Sequence, residues 1–172
     1  MSATQTLSPQ IIEKPGMTIV GLQAPFIHVM SPDATNFKVI GPLWERFIHQ
    51  AERIGNRIGE GMYGVLWTEP ASKRSHPHEM QYLAGVMVSE AAEIPDGMVA
   101  RTIPASLFAV FTHRGPIKTI GDTMHEIYRV WLPQSGYEHS QVVDVELYDR
   151  RFCPDGADSE MEYWISVRPK EK

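Results

Sequence analysis

From Val142 to Tyr148 apolar and polar residues alternate, so a strand here sends Val143, Val145 and Leu147 to one face and Asp144, Glu146 and Tyr148 to the other. Residues 17–24, 63–67, 80–88 and 161–167 read as further strands, and 98–112 is strand material interrupted by Pro104. Two segments carry helical spacing instead. Ile40, Leu43, Trp44, Phe47, Ala51 and Ile54 step by 3, 1, 3, 4 and 3 and make one apolar stripe. Pro42 fits only the first turn of that helix, because an interior proline removes a hydrogen bond and clashes with the preceding turn. Gly55 is the expected stop. A second helix, opened by Pro116 and closed by Pro133, carries Ile117, Ile120, Met124, Ile127, Tyr128 and Trp131 on its stripe. Residues 1–14 read as an irregular start.

The order of elements occurs twice. Ile40-Gly41 precedes Ile120-Gly121 by 80 positions (120 − 40), and Leu66-Trp67 precedes Leu147-Tyr148 by 81 (147 − 66). Tyr82 and Tyr163, and Val86 and Val167, are likewise 81 apart. Near-constant offsets across a helix and two strands point to duplication of a β-α-β-β unit. The expected fold is α+β: two tandem β-α-β-β repeats, about 17–90 and 98–168, in one domain over 1–172. They would form a pseudo-two-fold antiparallel sheet with two main helices and a central cleft, the seam between related halves being a natural place for a pocket.

Composition works mainly by exclusion. With 16 Lys and Arg against 21 Asp and Glu, the net charge is −5 and no basic run occurs, so no direct nucleic-acid binding is expected. The single cysteine, Cys153, excludes an intramolecular disulfide and a cysteine-based zinc site. No run approaches the roughly 18 apolar residues of a membrane span, and no leader pattern opens the chain. A cytoplasmic protein away from membranes is the expectation. Gly-x-Ser-x-Gly, P-loop and Gly-x-Gly-x-x-Gly patterns are absent, and no cofactor is expected. His76-Pro77-His78 offers two imidazoles in a loop with Lys73 and Arg74, where zinc wants three or four ligands. His113, His125 and His139 share no spacing that converges them, so no metal is expected either.

An ordered set of motifs runs through residues 103–167. It comprises Ile103-Pro104-Ala105-Ser106-Leu107-Phe108-Ala109-Val110-Phe111, the His113-Arg114-Gly115-Pro116 turn, and the stretch from Tyr128-Arg129-Val130-Trp131 to Gly136-Tyr137. Val145-Glu146-Leu147-Tyr148 and the run from Ser159-Glu160-Met161 through Tyr163-Trp164 to Val167 complete it. This set resembles the effector-binding domain family, which includes gyrase-inhibitor-like small-molecule-binding proteins and the ligand domains of bacterial AraC/Rob-type and MerR-type multidrug transcription regulators. The first half is similar more loosely, through its element order. The resemblance implies two β-α-β-β repeats with a ligand cleft between them. In multidrug-binding members an acidic residue among aromatics receives lipophilic cations, and the Glu of the Glu-x-Tyr segment maps onto Glu146. The aromatic of the last strand maps onto Tyr163 or Trp164. About 16 residues precede the first strand, too few for the helix-turn-helix reader of the regulators, so a stand-alone binder is expected.

On the local pattern alone, an edge strand with its polar face in water explains Glu146. The resemblance favours a pocket, since a buried carboxylate is costly unless a ligand or partner offsets it, and leaves Asp144 at the surface. The candidate ligand-binding residues are Glu146 and Tyr148 on this strand, Tyr128 and Trp131 on the second helix, and Tyr137 after it. Glu162, Tyr163 and Trp164 come from the last strand, with Tyr63, Trp67 and Tyr82 as the repeat-related opposite wall. Core packing is the default for Tyr128 and Trp131 on their stripe, and Glu162 is either solvated or a second acid. Three functions compete. The principal expectation is a binding module for hydrophobic cationic small molecules, held by aromatic rings and a counter-charge. The second is a hydrolase of reactive small molecules, with Glu146 or Glu162 as general base and Tyr137 or Tyr163 orienting the leaving group. The third is a gyrase-inhibitor-like module whose acidic surface meets a protein partner.

Overall fold

Eight strands arise from these runs: β1 (Gln10–Lys14), β2 (Met17–Ile27), β3 (Arg57–Trp67) and β4 (Glu79–Val88), then β5 (Val99–Ile103), β6 (Ser106–Arg114), β7 (Tyr137–Tyr148) and β8 (Glu160–Pro169). They form one antiparallel sheet in the order β1-β6-β8-β7-β3-β4-β2-β5, in a computed structural model that describes residues 7–91 and 93–172. The fold is α+β, as the two periodicities imply. Pro104 separates β5 from β6. Pro25 sits on β2 past the end of β5, which pairs only with Met17–Gly21; there β2 is the sheet edge, where proline is tolerated. Strand β1 lies within the stretch read as an irregular start, whose residues 1–6 are outside the described residues. It is an edge strand with mostly exposed side chains, so no core-facing alternation marks it.

Helix α1 spans Asn36–Ile48 and begins before its apolar stripe does, which makes Pro42 an interior residue rather than a first-turn one. Thr35 sets the start: its N–H donates to the Ile27 carbonyl at 3.0 Å, and its Oγ1 accepts from the Ile27 N–H at 2.8 Å. Pro42 is exposed, so water can satisfy the Lys38 carbonyl that loses its donor. The helix ends before Gly55, and a 3₁₀ turn at Ala51–Arg53 carries the stripe on, with Ala51 and Ile54 buried. The second helical segment starts with a 3₁₀ turn, Ile117–Thr119, and continues as α2 (Ile120–His125). A π-helical stretch, Glu126–Trp131, and a last turn at Leu132–Gln134 complete it.

Both helices pack on one face of the sheet. Leu43, Phe47, Ile120, Met124 and Ile127 meet Phe111, Tyr82 and Tyr163 there in one buried cluster. Full burial of side chains such as Leu43 and Phe47 contributes about 1.5–3 kcal/mol each. The other face carries its own cluster, built on Val65, Leu83, Phe108, Val145 and Trp164. Central strands β3 and β7 are thus apolar on one side and free to carry polar groups beneath the helices on the other. No helix among the described residues is long and apolar enough to cross a membrane.

Replacing Pro42 by Ala restores a helical N–H at an exposed interior position. The variant is expected to unfold at higher urea concentration than the wild type, with a gain of about 1–3 kcal/mol.

Candidate functional site

Strand β7 lies between β3 and β8, with Glu146 opposite Gly64 on one side and Tyr163 on the other. Its neighbours cover it, and Glu146 is 6% exposed. Tyr82 of β4 reaches across β3 and donates to Glu146 Oε2 at 2.5 Å; Tyr148 donates to the same oxygen at 2.7 Å. Trp44 of α1 donates its indole N–H to the Tyr82 hydroxyl at 2.9 Å, tying the helix to the carboxylate through one hydroxyl. Gly64 makes this crossing possible. A Cβ there would stand 2.6 Å from Glu146 Oε2 and closer still to the Tyr82 hydroxyl. No donor among the described residues reaches Oε1. The only partnerless side-chain N and O atoms sealed from solvent among them are Arg74 Nε and Arg101 Nε, so Oε1 keeps open surface.

That surface faces a cavity of about 440 Å³ whose walls include Phe26, Trp44, Met62, Leu66, Met124 and Phe152. Tyr148 meets Trp44 at 5.4 Å between ring centroids and Phe152 at 4.6 Å, both edge to face. Burial raises the Glu146 pKa above its ordinary value; the Tyr82 and Tyr148 hydroxyls oppose the shift, and the charge of Asp144 adds to it. Burial, then the Glu146 charge, push both tyrosines well above the usual range, so they remain donors.

A second cavity of about 770 Å³ adjoins the first, sharing His28 and Leu66 as walls. Asp144 borders it and is buried, not at the surface as expected from the sequence. Its carboxylate is held from three directions that a local alternation pattern cannot reveal. Tyr128 of the π-helical stretch and Tyr163 of β8 donate to Oδ2, the latter at 3.3 Å. His139 Nε2 lies 2.7 Å from Oδ1. A bulge between His139 and Asp144, with Gln141 at φ 63°, turns the imidazole back along its own strand. The Gln141 N–H donates to His139 Nδ1 at 2.8 Å, leaving Nε2 to carry the proton toward Asp144. Burial lowers the His139 pKa, but the hydrogen bond and charge of Asp144 outweigh it and the net shift is upward.

Of the residues expected at the cleft, Glu146 and Tyr148 line the first cavity, and Tyr82, fully buried, bonds to the carboxylate without bordering the cavity. Tyr128 and Trp67 border the second, while Tyr163 lies buried behind Asp144. Trp131 packs edge-on against Phe111 at 5.1 Å and stacks on Tyr137 at 6.3 Å; neither Trp131 nor Tyr137 borders these cavities. Tyr63 and Trp164 pair on the sheet's other face, 6.3 Å apart. Glu162 shares that side of β8, accepting from Trp164 Nε1 at 2.8 Å and pairing with Arg151 at 3.2 Å, so it is not a second acid of the cleft. The period of two decides this: with Tyr163 toward the helices, Glu162 and Trp164 face away. Trp44, Phe26, His28 and Phe152 escaped the sequence reading. Trp44 was visible on the first helical stripe, but nothing local distinguished a site residue from core. Among the described residues no three His, Cys, Asp or Glu side chains gather as a metal site, and His76 pairs with Asp33 at 3.3 Å.

Gly64→Ala pushes the Tyr82 hydroxyl and the carboxylate apart and is expected to cost about 1–3 kcal/mol in denaturant unfolding. Glu146 also makes stability depend on pH. Its folded pKa lies above the ordinary 4.5, so its contribution is full below 4.5 and is lost as pH rises through the folded value. The stability difference between wild type and Glu146→Gln should therefore shift against the wild type with rising pH across that interval. A pH-independent difference would contradict it.

Comparison with known proteins identifies the family and the fold. Residues 7–168 match the model of the GyrI-like small molecule binding domain. The transcriptional regulator BrlR of Pseudomonas aeruginosa is 33% identical over 165 residues, covering 95% of this chain and 56% of BrlR. The chain thus spans just over half the length of that relative. The probable transcriptional regulator YgiV of Escherichia coli is 29% identical over 136 residues, 76% of this chain and 77% of YgiV. Among solved structures, SAV2435 bound to tetraphenylphosphonium has a TM-score of 0.73 at 18% identity, over 94% of each chain. The C-terminal domain of EcmrR has a TM-score of 0.66 at 14% identity, over 95% of this chain and 99% of that one. At such identities the two structures speak for the fold. The family match, extending over nearly the whole chain, makes this protein a member of the GyrI-like small-molecule-binding domain family.

Proposed function

We propose that this domain captures hydrophobic cations in the first cavity, with Glu146 as the counter-charge. One observation carries the reading: a buried carboxylate with one oxygen open to an apolar cavity and no cationic side chain paired to it among the described residues. Such a charge is costly to bury alone and gains from a cation that brings its own apolar surface. Attraction in the water-poor cavity is less screened than in bulk water, and Trp44, Tyr148 and Phe152 add ring contacts. The tetraphenylphosphonium held by SAV2435, a structure of the same fold, is a lipophilic cation and supports the ligand class. BrlR is a transcriptional regulator and YgiV a probable one, which supports a regulatory use of the bound state.

The reading includes a two-unit architecture. Strands β2, β4 and β3 lie on one side of the β3/β7 contact and β6, β8 and β7 on the other, in mirrored order. Leu66 is opposite Tyr82 as Glu146 is opposite Tyr163. That register supports an offset of 80 for the central strands (146 − 66) beside 81 for the following ones (163 − 82). Aligning Leu66 with Leu147 is therefore one residue off, and a one-residue slip exchanges the two faces. On this register Leu66 is the counterpart of Glu146, so the two units supply one cleft acid between them. The hydrolase alternative gains nothing from the geometry, because neither Tyr137 nor Tyr163 borders the first cavity.

Titration calorimetry with tetraphenylphosphonium tests the reading. Glu146→Gln should weaken binding about 10- to 100-fold, the range of a lost interaction with a charged group. Wild-type affinity should rise with pH up to the raised Glu146 value and level off above it, since the ionised form is the binder. Equal affinity of both proteins at every pH would remove Glu146 from the mechanism.

A further inference from the structure

Two polar side chains in the first cavity play no part in holding Glu146. The Thr35 clamp joins the end of β2 to the start of α1, with hydrogen bonds of 3.0 and 2.8 Å to Ile27. The next residue on each side, His28 and Asn36, line the same cavity. Asn36 is 7% exposed, yet its amide makes no side-chain hydrogen bond among the described residues. With no partner from the chain, that amide is left to water or to a ligand. His28 Nδ1 accepts from the Met30 N–H at 3.2 Å, so the neutral ring carries its proton on Nε2. Burial favours that neutral form, lowering the His28 pKa against the opposing charge of Asp144.

Nothing among the described residues accepts from His28 Nε2. Neither that atom nor the Asn36 amide belongs to the sealed partnerless atoms, so both keep open surface, and both residues border the space over Glu146. Besides the exposed Glu45 carboxylate on its wall, the cavity therefore presents the open Oε1, the Asn36 amide and the His28 N–H in a mostly apolar lining. Oε1 is an acceptor, the His28 N–H a neutral donor, and the Asn36 amide offers both a donor and an acceptor, so they call for different parts of one ligand.

We infer that Asn36 and His28 form a hydrogen-bonding subsite that selects hydrophobic cations carrying a carbonyl acceptor over bare onium ions. The inference rests on the cation reading of Glu146 and adds the neutral half of the recognition. The cation settles near Oε1 with its apolar body against Trp44, Tyr148 and Phe152. Its carbonyl oxygen accepts from Asn36 Nδ2 and His28 Nε2. A cation without that oxygen leaves both donors unpaired on losing their water, which is how a site built to hydrogen-bond rejects an analogue.

Two probes that differ by one acetyl group test this: tetraphenylphosphonium and (4-acetylphenyl)triphenylphosphonium, titrated calorimetrically into the whole chain. The wild type should bind the ketone about three- to tenfold more tightly. The readout in Asn36→Leu and His28→Phe is the ratio of the two dissociation constants, which cancels any general change in the cavity. Each variant should bring the ratio toward one, and if Asn36→Leu does not fold, His28→Phe alone carries the test. A wild-type ratio of one, or a preference that survives both substitutions, overturns the subsite. Tight tetraphenylphosphonium binding with a ratio of one fells the subsite and leaves the Glu146 reading standing. Failure of the wild type to bind either cation fells both.

Discussion

A carboxylate carried into the sheet's helix-covered face loses its water, and desolvating an unpaired charge costs several kcal/mol. For Glu146 the loss is offset in part by two tyrosine hydroxyls that meet on a single oxygen. Much of the architecture serves that meeting. Tyr82 must cross β3, so the residue between must lack a side chain, and Gly64 does. The Tyr82 hydroxyl, spent on Glu146, still needs a donor of its own; Trp44 provides it and pins α1 over the cavity. Helix, two strands and a glycine are coupled through one carboxylate oxygen, and the other oxygen is left to the cavity.

The contrast with Asp144 shows how two acids on one strand face come to differ. Asp144 accepts from Tyr128 and Tyr163 on one oxygen and meets His139 at the other, and the His139 pKa rises in response. Both of its oxygens are thus engaged by the chain itself. Glu146 has two donors, both on Oε2, and its own pKa is raised by burial. An acid satisfied internally organises structure, whereas one left half-satisfied beside an apolar cavity is free to meet a ligand. That difference underlies the proposed roles. The buried Asn36 amide, with no side-chain partner among the described residues, follows the same logic for a neutral group.

Much of the scaffold was legible along the chain. The alternation of Asp144, Glu146 and Tyr148 does define one face, and the Pro104 break and the two apolar stripes all correspond to real elements. Where the reading slipped, the reason was local. Pro42 is interior because the Ile27–Thr35 clamp, a contact across eight residues, starts the helix earlier than the stripe does. Strand β1 was invisible because an exposed edge strand has no core-facing pattern. Glu162 and Trp164 were expected at the cleft from the last strand and Tyr63 as a repeat-related aromatic, yet a strand turns successive side chains to opposite faces.

What the amino-acid order determined by itself is therefore the set of faces: which residues of each strand and helix share a side, through periods of 2 and 3.6 set by backbone geometry. Family motifs read from the same residues added the expectation of an acid at Glu146. Only the tertiary structure decided which faces meet. Strand order brings Tyr82 to Glu146 across Gly64, the bulge returns His139 to Asp144, and the clamp brings Asn36 and His28 to the wall of one cavity. Those contacts join residues many positions apart, and periodicity, being a property of neighbours in sequence, carries no information about them.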